Sequence, residues 1–467
     1  MKLTYGPSDK PGIWQTIVFA IQQVLAILAA TIVVPVIVGN GMSQAAALFG
    51  AGVGTLVYLL FTKFKSPVFL GSSFAFIGSM CAAFGGAASA AQGYLGIIIG
   101  AILAGLVYVA IAFIVKYAGT AWIDKLMPAA VIGPTVAVIG LSLAGNAIGD
   151  VLKGSVFDAA NSVYVMNTKG ILSMICGLVT LGTVIACSVF GKKMLKMIPF
   201  IIGILAGYAV ATIFTVIGHA TGNADLQIVN FALFENLKNS WMPDFTFISA
   251  MDAFKDLSGF GSFLGSIAVA YVPVAFVVFA EHLADHKNIS SIIEQDLLKD
   301  PGLDRTLLGD GVGSMVGAFF GGCPNTTYGE SVGCVAISGN ASIVTIITAA
   351  IICIVSSFFA PFMVALATIP SCVMGGVCVA LYGFIAVSGL KMIQKVNLED
   401  NRNLFVVATI LIAGIGGMAL KFGEITLTSV ACALILGILA NVLTHWKKDE
   451  APAEVEVKEE TPEETAE

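Results

Sequence analysis

The stretch GGCPNTTYGESVG, at residues 321–333, decides the fold because it breaks a helix inside an apolar region. Pro324 has no backbone N–H to donate, and the glycines beside it weaken a helix. The chain is therefore predicted to be extended before a new helix begins, with the N–H groups of residues 328–330 available to a ligand. Inside a bilayer, such backbone is tolerated only where protein or a water-filled cavity surrounds it. The stretch predicts a binding site at mid-membrane.

The composition indicates an integral membrane protein. Of 467 residues, 57% are hydrophobic and 11% are charged, whereas soluble domains carry about 25% charged residues. The mean hydropathy is +0.94, so too few charged side chains remain to cover a water-exposed surface. The net charge of −6 and the lack of a basic stripe exclude a nucleic-acid-binding protein. The first apolar run is longer than the core of a signal peptide, so no cleaved signal is expected.

Metal and enzyme chemistry lack a sequence signal. The nine cysteines lie in apolar segments without a CxxC pair, which predicts small buried side chains rather than disulfides or metal ligands. There are four histidines and no nucleophile–base constellation or phosphate loop. We therefore expect no metal, no cofactor and no enzyme activity.

Hydropathy and loop signals predict an all-α chain of fourteen transmembrane segments. The third and tenth are short and rich in Gly, Ser and Thr, which predicts interrupted rather than continuous helices. The predicted segments are 14–38, 44–62, 67–84, 94–115, 126–146, 169–190, 198–218, 262–284, 306–321, 325–338, 341–360, 370–390, 404–420 and 426–446.

The distribution of positive charge supports this arrangement. If the N-terminus is inside and the chain alternates through fourteen segments, most of the 23 Lys and Arg residues lie inside. Only Lys153, Lys169, Lys238, Lys255 and Lys421 then lie outside. This bias follows the positive-inside rule, so both termini are predicted to be cytoplasmic.

The two halves of the chain resemble each other. LMPAAVIGPTVAVIG at 126–140 aligns with TIPSCVMGGVCVALY at 368–382, and SSFA at 72–75 aligns with TTYG at 326–329. Because seven is odd, a seven-span repeat must insert with opposite topology, as in inverted-repeat transporters. The predicted domains are a first seven-span repeat at 1–218, an outside connecting loop at 219–261, a second seven-span repeat at 262–446 and a disordered acidic cytoplasmic tail at 447–467.

Ionisable side chains at membrane depth are rare and therefore informative. The run AEHLADH closes the eighth predicted segment and places Glu281 and Asp285 on one helix face. Glu281 is predicted to accept a hydrogen bond from a solute N–H and Asp285 to take part in proton coupling, although either could be an interfacial acid. His282 and His286 form a second i, i+4 pair, which we expect at the membrane interface.

Two further acids fall inside predicted segments. Glu330 directly follows the broken stretch, where a low dielectric disfavours a charged carboxylate. An acid that changes protonation with conformation would couple transport to a proton; the alternative is a structural acid bonded to its repeat partner. Asp310 lies early in the ninth segment and is a candidate for lining the same cavity.

Aromatic and polar side chains complete the candidate cavity. Phe74 and Tyr328 occupy equivalent positions in the two repeats and could hold a flat aromatic solute between their rings, while core packing is the alternative. Gln23 in the first segment, Ser73 beside Phe74, and Tyr382 are further candidates for lining it. Each of these could instead bond or pack against neighbouring helices.

Together these motifs resemble the nucleobase–ascorbate transporter family, and within it the uracil permeases of bacteria. The resemblance covers nearly the whole chain except the acidic tail. It rests on LGSSFAFIG (70–78), AEHLADH (280–286), DPGLDRTLLGDG (300–311), CPNTTYGESVG (323–333) and IPSCVMGGVCVALYG (369–383).

The resemblance implies a core domain and a gate domain, with short strands in segments three and ten meeting at the substrate. It also implies proton-coupled uracil uptake by an elevator-like mechanism, a homodimer, and the cytoplasmic (inner) membrane. By position, Glu281 would accept hydrogen bonds from the pyrimidine N–H. The region of Phe74, Gly329 and Glu330 would bind ring carbonyls. Glu330, together with Glu281 and Asp285 of the eighth segment, would link protonation to transport.

A purine substrate is the alternative within the same family. Acids at the positions of Asp285 and Asp310 are more like those of the purine carriers, so xanthine or another purine nucleobase could replace uracil. An anion carrier is disfavoured, because Glu281 and Glu330 would repel an anion.

Overall fold

The computed structural model describes residues 3–192, 194–239, 241–255, 260–422 and 425–444, and this part of the chain is mostly helical. The tail at 447–467 lies outside these residues, so its disorder stays a prediction. The helices are α1 (Ile13–Val38), α2 (Gln44–Phe61), α3 (Ile77–Gly85), α4 (Ala90–Ala118), α5 (Ala121–Leu126), α6 (Ala129–Ser142), α7 (Ala144–Val151), α8 (Thr168–Phe190), α9 (Met194–Met197), α10 (Pro199–Thr221), α11 (Thr246–Ala250), α12 (Phe260–Ile293), α13 (Leu303–Gly321), α14 (Gly329–Ser338), α15 (Ile343–Ser357), α16 (Ala360–Ala367), α17 (Ser371–Ile393), α18 (Asn401–Ile415) and α19 (Ser429–Thr444). The strands are β1 (Leu70–Ser72), β2 (Val156–Asp158), β3 (Val163–Val165), β4 (Asn325–Thr327), β5 (Leu420–Phe422) and β6 (Ile425–Leu427).

Long apolar helices make this a multi-pass membrane protein. In the described part of the chain, eight helices are long and apolar enough to cross a membrane, and a ninth crossing results if α15 and α16 count as one bent span. Helix α1 has 26 residues, which at about 1.5 Å per residue exceeds a hydrocarbon core of roughly 30 Å. Large apolar side chains such as Leu178 and Phe190 of α8 point outward, where lipid rather than water surrounds them.

Two short strands, β1 and β4, pair antiparallel where the predicted third and tenth segments were expected to be interrupted. Leu70 lies opposite Thr327, and Ser72 lies opposite Asn325. The ladder continues at both ends, since the Tyr328 N–H donates to the Phe69 carbonyl at 3.1 Å and the Ser73 N–H donates to the Pro324 carbonyl at 2.9 Å. The prediction that the Tyr328 N–H is available to a ligand is therefore wrong, because the ladder uses it. All six strand residues are buried.

The strands are short because helices begin soon after each of them. α3 starts at Ile77 and α14 starts at Gly329, so both helices have their N-terminal ends near the ladder. The first N–H groups of a helix have no partner within it and carry partial positive charge. The ladder therefore brings main-chain donors from two distant parts of the sequence to one place.

The helices form two packed groups. One contains α1–α4 and α12–α15, with α13 packed against α2 and α4; the other contains α6–α10 and α17–α19, with α17 packed against α6 and α8. Glycine permits the closest approach in the first group: a Cβ at Gly50 would lie 2.6 Å from the Gly317 carbonyl oxygen. In the second group, a Cβ at Gly133 would lie 3.1 Å from the Gly389 carbonyl oxygen.

Several predicted boundaries differ from the structure. The eighth predicted segment ended at 284, but α12 continues to Ile293 because its polar half still buries His286, Ile289 and Ile293. The predicted segment 341–360 ends earlier, at Ser357, and α16 then leaves at an angle of 81°. The hairpins β2–β3 and β5–β6 were not predicted, since three-residue strands give too short a pattern.

Candidate functional site

A cavity of about 440 Å³ lies beside the β1–β4 ladder, between the two groups of helices. Phe74, Glu281, Asp285, Tyr328, Gly329 and Glu330 all line it. These residues come from the break after β1, from α12, and from the junction of β4 with α14. The structure thus brings the predicted substrate-binding and proton-coupling residues to one cavity.

One end of the cavity is open. The exposed side chains of Lys196, Asn288 and Ser388 line this end. Lys196 belongs to α9, which the sequence did not predict as a helix, and α9 packs against α14. Ser388 is in α17 and Asn288 is in α12, so this mouth combines residues of both helix groups. No spacing signal in the sequence links these three positions.

Helix α12 presents two acids to the cavity. Asp285 is 7% exposed, and its Oδ2 accepts a hydrogen bond from Thr327 Oγ1 at 3.0 Å. Among the described residues, the Glu281 carboxyl has no hydrogen-bond donor, so its oxygens can accept from a ligand. Both acids lie well inside α12 rather than at its end, because the helix continues for two further turns.

The start of α14 supplies the opposite wall. Glu330 lies in the first turn of this helix, directly after Gly329. The Tyr328 hydroxyl donates to the Ser72 carbonyl at 2.7 Å, which holds the ring against β1. Ser331 Oγ accepts from the Phe69 N–H at 3.0 Å. The helix start is therefore held by contacts from the other broken segment.

Four further candidates lie behind the cavity wall rather than in its lining. Gln23 donates from its side-chain amide to Ser331 Oγ and so braces the start of α14. Ser73 extends the ladder through its backbone. Tyr382 packs edge-on against Phe74, with ring centroids 5.6 Å apart, so it supports the aromatic wall from behind. The fourth candidate, Asp310, lines a separate small cavity.

A neighbouring face of α12 carries a buried polar network. His282 and His286 are both fully buried among neighbouring helices, and their location at the membrane interface stays a prediction. His282 Nδ1 lies 2.7 Å from Asp310 Oδ2, and its Nε2 lies 3.1 Å from Thr306 Oγ1. His286 Nε2 lies 2.7 Å from the Tyr58 hydroxyl. The helix extends further than predicted, and neighbouring helices cover this face.

The fold and the cavity together define a multi-pass membrane permease. Residues 14–422 match the model of a permease family, Xan_ur_permease. The uracil permease of Bacillus subtilis (strain 168) is 37% identical over 455 residues, which are 96% of this chain and 97% of that protein. The uracil permease of Bacillus caldolyticus is 38% identical over 440 residues, or 93% of each chain.

A solved structure shares the fold at low sequence identity. The transmembrane domain of a cyanobacterium bicarbonate transporter, BicA, has a TM-score of 0.62 at 16% identity, over 94% of this chain and 100% of that domain. The family match and the two relatives show that this chain belongs to the nucleobase–ascorbate transporter family of permeases. The resemblance inferred from the sequence motifs is confirmed.

Proposed function

We propose that the protein takes up uracil across the cytoplasmic membrane together with protons. The observation that carries this proposal is the cavity itself, where Glu281, Glu330 and Phe74 meet beside main-chain donors of the broken segments. Its volume of about 440 Å³ lies within the range of small-molecule sites. The uracil permeases to which the chain is similar support the choice of substrate.

Recognition follows from the chemistry of a flat ring with alternating N–H and C=O groups. Glu281, whose carboxyl has no protein donor among the described residues, accepts from ring N–H groups. The first N–H groups of α14, near Gly329 and Glu330, donate to a ring carbonyl. Phe74 stacks on the ring face, and its own position is supported by Tyr382.

Coupling to a proton follows from the acids that share the cavity. Glu281, Asp285 and Glu330 line the same space, and like charges at short range in a low dielectric repel each other. A proton bound by one of these carboxyls relieves the repulsion. Loading of the carrier with substrate is therefore favoured together with protonation, and Glu330 is the acid assigned to this link.

The architecture proposed is fourteen segments in two inverted repeats, 1–218 and 262–446, joined by an outside loop. Two features support it: Pro128 precedes α6 as Pro370 precedes α17, and β1 pairs with its repeat counterpart β4. The group α1–α4 with α12–α15 is the core domain, and the other group is the gate domain. Elevator-like movement of the core past the gate opens the cavity alternately to each side.

Orientation and assembly complete the proposal. The open mouth carries Lys196, on the side that the positive-inside rule places in the cytoplasm, so the structure is inward-facing. Both termini are cytoplasmic, and the membrane is the inner membrane of the cell. The family resemblance further implies a homodimer, with uracil and the proton as its small-molecule partners.

Radiolabelled uracil uptake tests the function directly. Purified protein in liposomes with an inward proton gradient should accumulate uracil, and a protonophore should abolish the accumulation. Excess unlabelled xanthine should not compete. Competition by xanthine would favour the alternative, a xanthine or other purine:proton symporter, which Asp285 and Asp310 support. Failure to transport any nucleobase would contradict the proposed function.

A further inference from the structure

A second, much smaller cavity of about 10 Å³ lies behind the substrate cavity, between α4, α12, α13 and β4. This volume is close to the space that one water molecule requires. It contains neither Glu281 nor Glu330, so it is a separate site. The residues that matter for its chemistry are Phe76, Tyr108, Val278, Asp310, Ser314 and Asn325.

Two buried polar atoms in this small cavity have no protein partner among the described residues. Asp310 is 1% exposed and Tyr108 is 4% exposed. Asp310 Oδ2 is hydrogen-bonded to His282 Nδ1, but Asp310 Oδ1 and the Tyr108 hydroxyl have no hydrogen-bond partner in the described part of the chain. An unsatisfied buried polar group destabilises a fold by about 1–3 kcal/mol, and more when it is charged. Two such atoms at one cavity of this size indicate a shared small ligand.

We propose that the small cavity binds one water molecule, through which Tyr108 acts as a positioning residue for the Asp310–His282 pair. The water accepts a hydrogen bond from the Tyr108 hydroxyl and donates one to Asp310 Oδ1. Its second proton is directed at the oxygen of Ser314 or Asn325, which line the same space. This gives the water three partners, the number typical of buried water.

Water fits the small cavity better than a metal cation. Hard cations such as Ca²⁺ take six to eight oxygen ligands. The four polar side chains offer fewer, and the apolar Phe76 and Val278 close other sides. A water molecule also satisfies a donor and an acceptor at once, which a cation cannot do for the Tyr108 hydroxyl proton.

The site lies directly behind the helix that forms the substrate cavity. His282 joins Asp310 to α12, whose neighbouring face carries Glu281 and Asp285, and the Tyr108 ring packs edge-on to His282 with ring centroids 6.3 Å apart. The titratable groups that interact with Asp310 from the surrounding elements are Tyr58 on α2, Tyr108 on α4, and Glu281, His282 and Asp285 on α12. Through this network, hydration of Asp310 contributes to the pH dependence of uptake, an inference that rests on the proposed proton-coupled transport.

Tyr108→Phe removes the hydroxyl and keeps the ring. The charged form of Asp310 then loses the hydrogen bond of an ordered water and becomes less favourable. The pH midpoint of uracil uptake should therefore rise by about one unit. The KM at the optimal pH should stay within about twofold. Tyr271→Phe is the matched control, because the Tyr271 hydroxyl is also buried without a described partner but lies outside the small cavity. An unchanged or lowered midpoint in Tyr108→Phe, or the same rise in both variants, would overturn the proposal.

A second measurement does not depend on transport. Infrared difference spectra of the purified protein across a pH series, assigned with Asp310→Asn, report the protonation of the Asp310 carboxyl. Tyr108→Phe should move its titration in the same direction as the uptake midpoint, and Tyr271→Phe should not. If uracil uptake fails but this shift is found, the proposed function is wrong and the water site stands; no shift rejects the site.

A cation is distinguished from water by thermal unfolding in sodium chloride and in choline chloride. Equal melting temperatures in the two salts are expected for a water site. Stabilisation of the wild-type protein by sodium alone, lost in Tyr108→Phe, would show that a cation occupies the small cavity and would overturn the proposal.

Discussion

Asp285 Oδ2 accepts a hydrogen bond from Thr327 Oγ1 at 3.0 Å. The two residues are 42 positions apart, and their contact joins α12, which carries the acids, to β4 of the central ladder. The substrate cavity therefore has a fixed relation between its carboxyl groups and its main-chain donors. We therefore expect the proposed binding geometry to depend on this bond as much as on the residues that face the solute.

Thr327→Val removes that hydrogen bond and keeps the side-chain shape. A donor to a charged or partly charged carboxyl contributes about 1.5–3 kcal/mol, so uracil affinity should fall roughly 10- to 100-fold. Equilibrium binding of labelled uracil to the purified protein measures the change. Thr135→Val is the matched control, because Thr135 is buried in α6 and, among the described residues, its hydroxyl bonds only the Val131 carbonyl of its own helix. Equal uracil affinities in the two variants would show that uracil binding does not require Thr327 to hold Asp285 in position.

Glu281→Ala should abolish measurable uracil binding, because a solute N–H would lose its acceptor inside the cavity. The loss is expected to be about 1–3 kcal/mol or more, which raises Kd by about fivefold to more than a hundredfold. Glu281→Gln should weaken binding in the same direction while preserving volume. Glu399→Gln, at an exposed acid outside the cavity, should bind as the wild type does. Wild-type affinity in Glu281→Ala would refute its assignment as the substrate acceptor.

Glu330→Gln tests proton coupling separately from binding. The amide keeps the shape and the main-chain donors of α14 but cannot take up a proton. Uracil binding should stay within about threefold of the wild type, whereas uptake should lose most of its pH dependence. Initial uptake rates in liposomes across a pH series provide the measurement. A pH profile identical to that of the wild type would remove Glu330 from the coupling mechanism.

Gly50→Ala tests the packing that holds the central ladder. The new Cβ would lie 2.6 Å from the Gly317 carbonyl oxygen, so α2 and α13 must separate, with a destabilisation of about 1–3 kcal/mol. The melting temperature in detergent should fall. Gly145→Ala is the control, since nothing lies within 4 Å of its added Cβ. A fall of the same size in both variants would mean that the close contact of α2 and α13 at Gly50 does not determine the melting temperature.

Much of the helical framework was predictable because hydropathy alone identifies a membrane helix. The predicted segment 169–190 compares with α8 at Thr168–Phe190, and 14–38 compares with α1 at Ile13–Val38. Prediction failed where the signal was short or mixed, as at α9 and the two hairpins. It also failed at the end of α12. The sequence there is largely polar, but the helix continues because one of its faces remains buried.

The candidate site was likewise predictable only in part. The rarity of acids within apolar sequence was enough to select Glu281, Asp285 and Glu330 as candidates. The sequence could not tell which polar residues face the substrate cavity. Gln23 and Tyr382 support the cavity wall from behind. Lys196, in α9, lines the open end of the cavity, although no sequence motif marks this residue.

By itself, the sequence determined that the chain is a membrane protein with two broken segments and a few acids at depth, because each of these depends on local composition. Only the tertiary structure decided that β1 pairs with β4 and that His282 turns away from the cavity to bond Asp310. These relations join residues far apart in the chain and on particular helix faces. They are set by how whole helices pack, which no local pattern records.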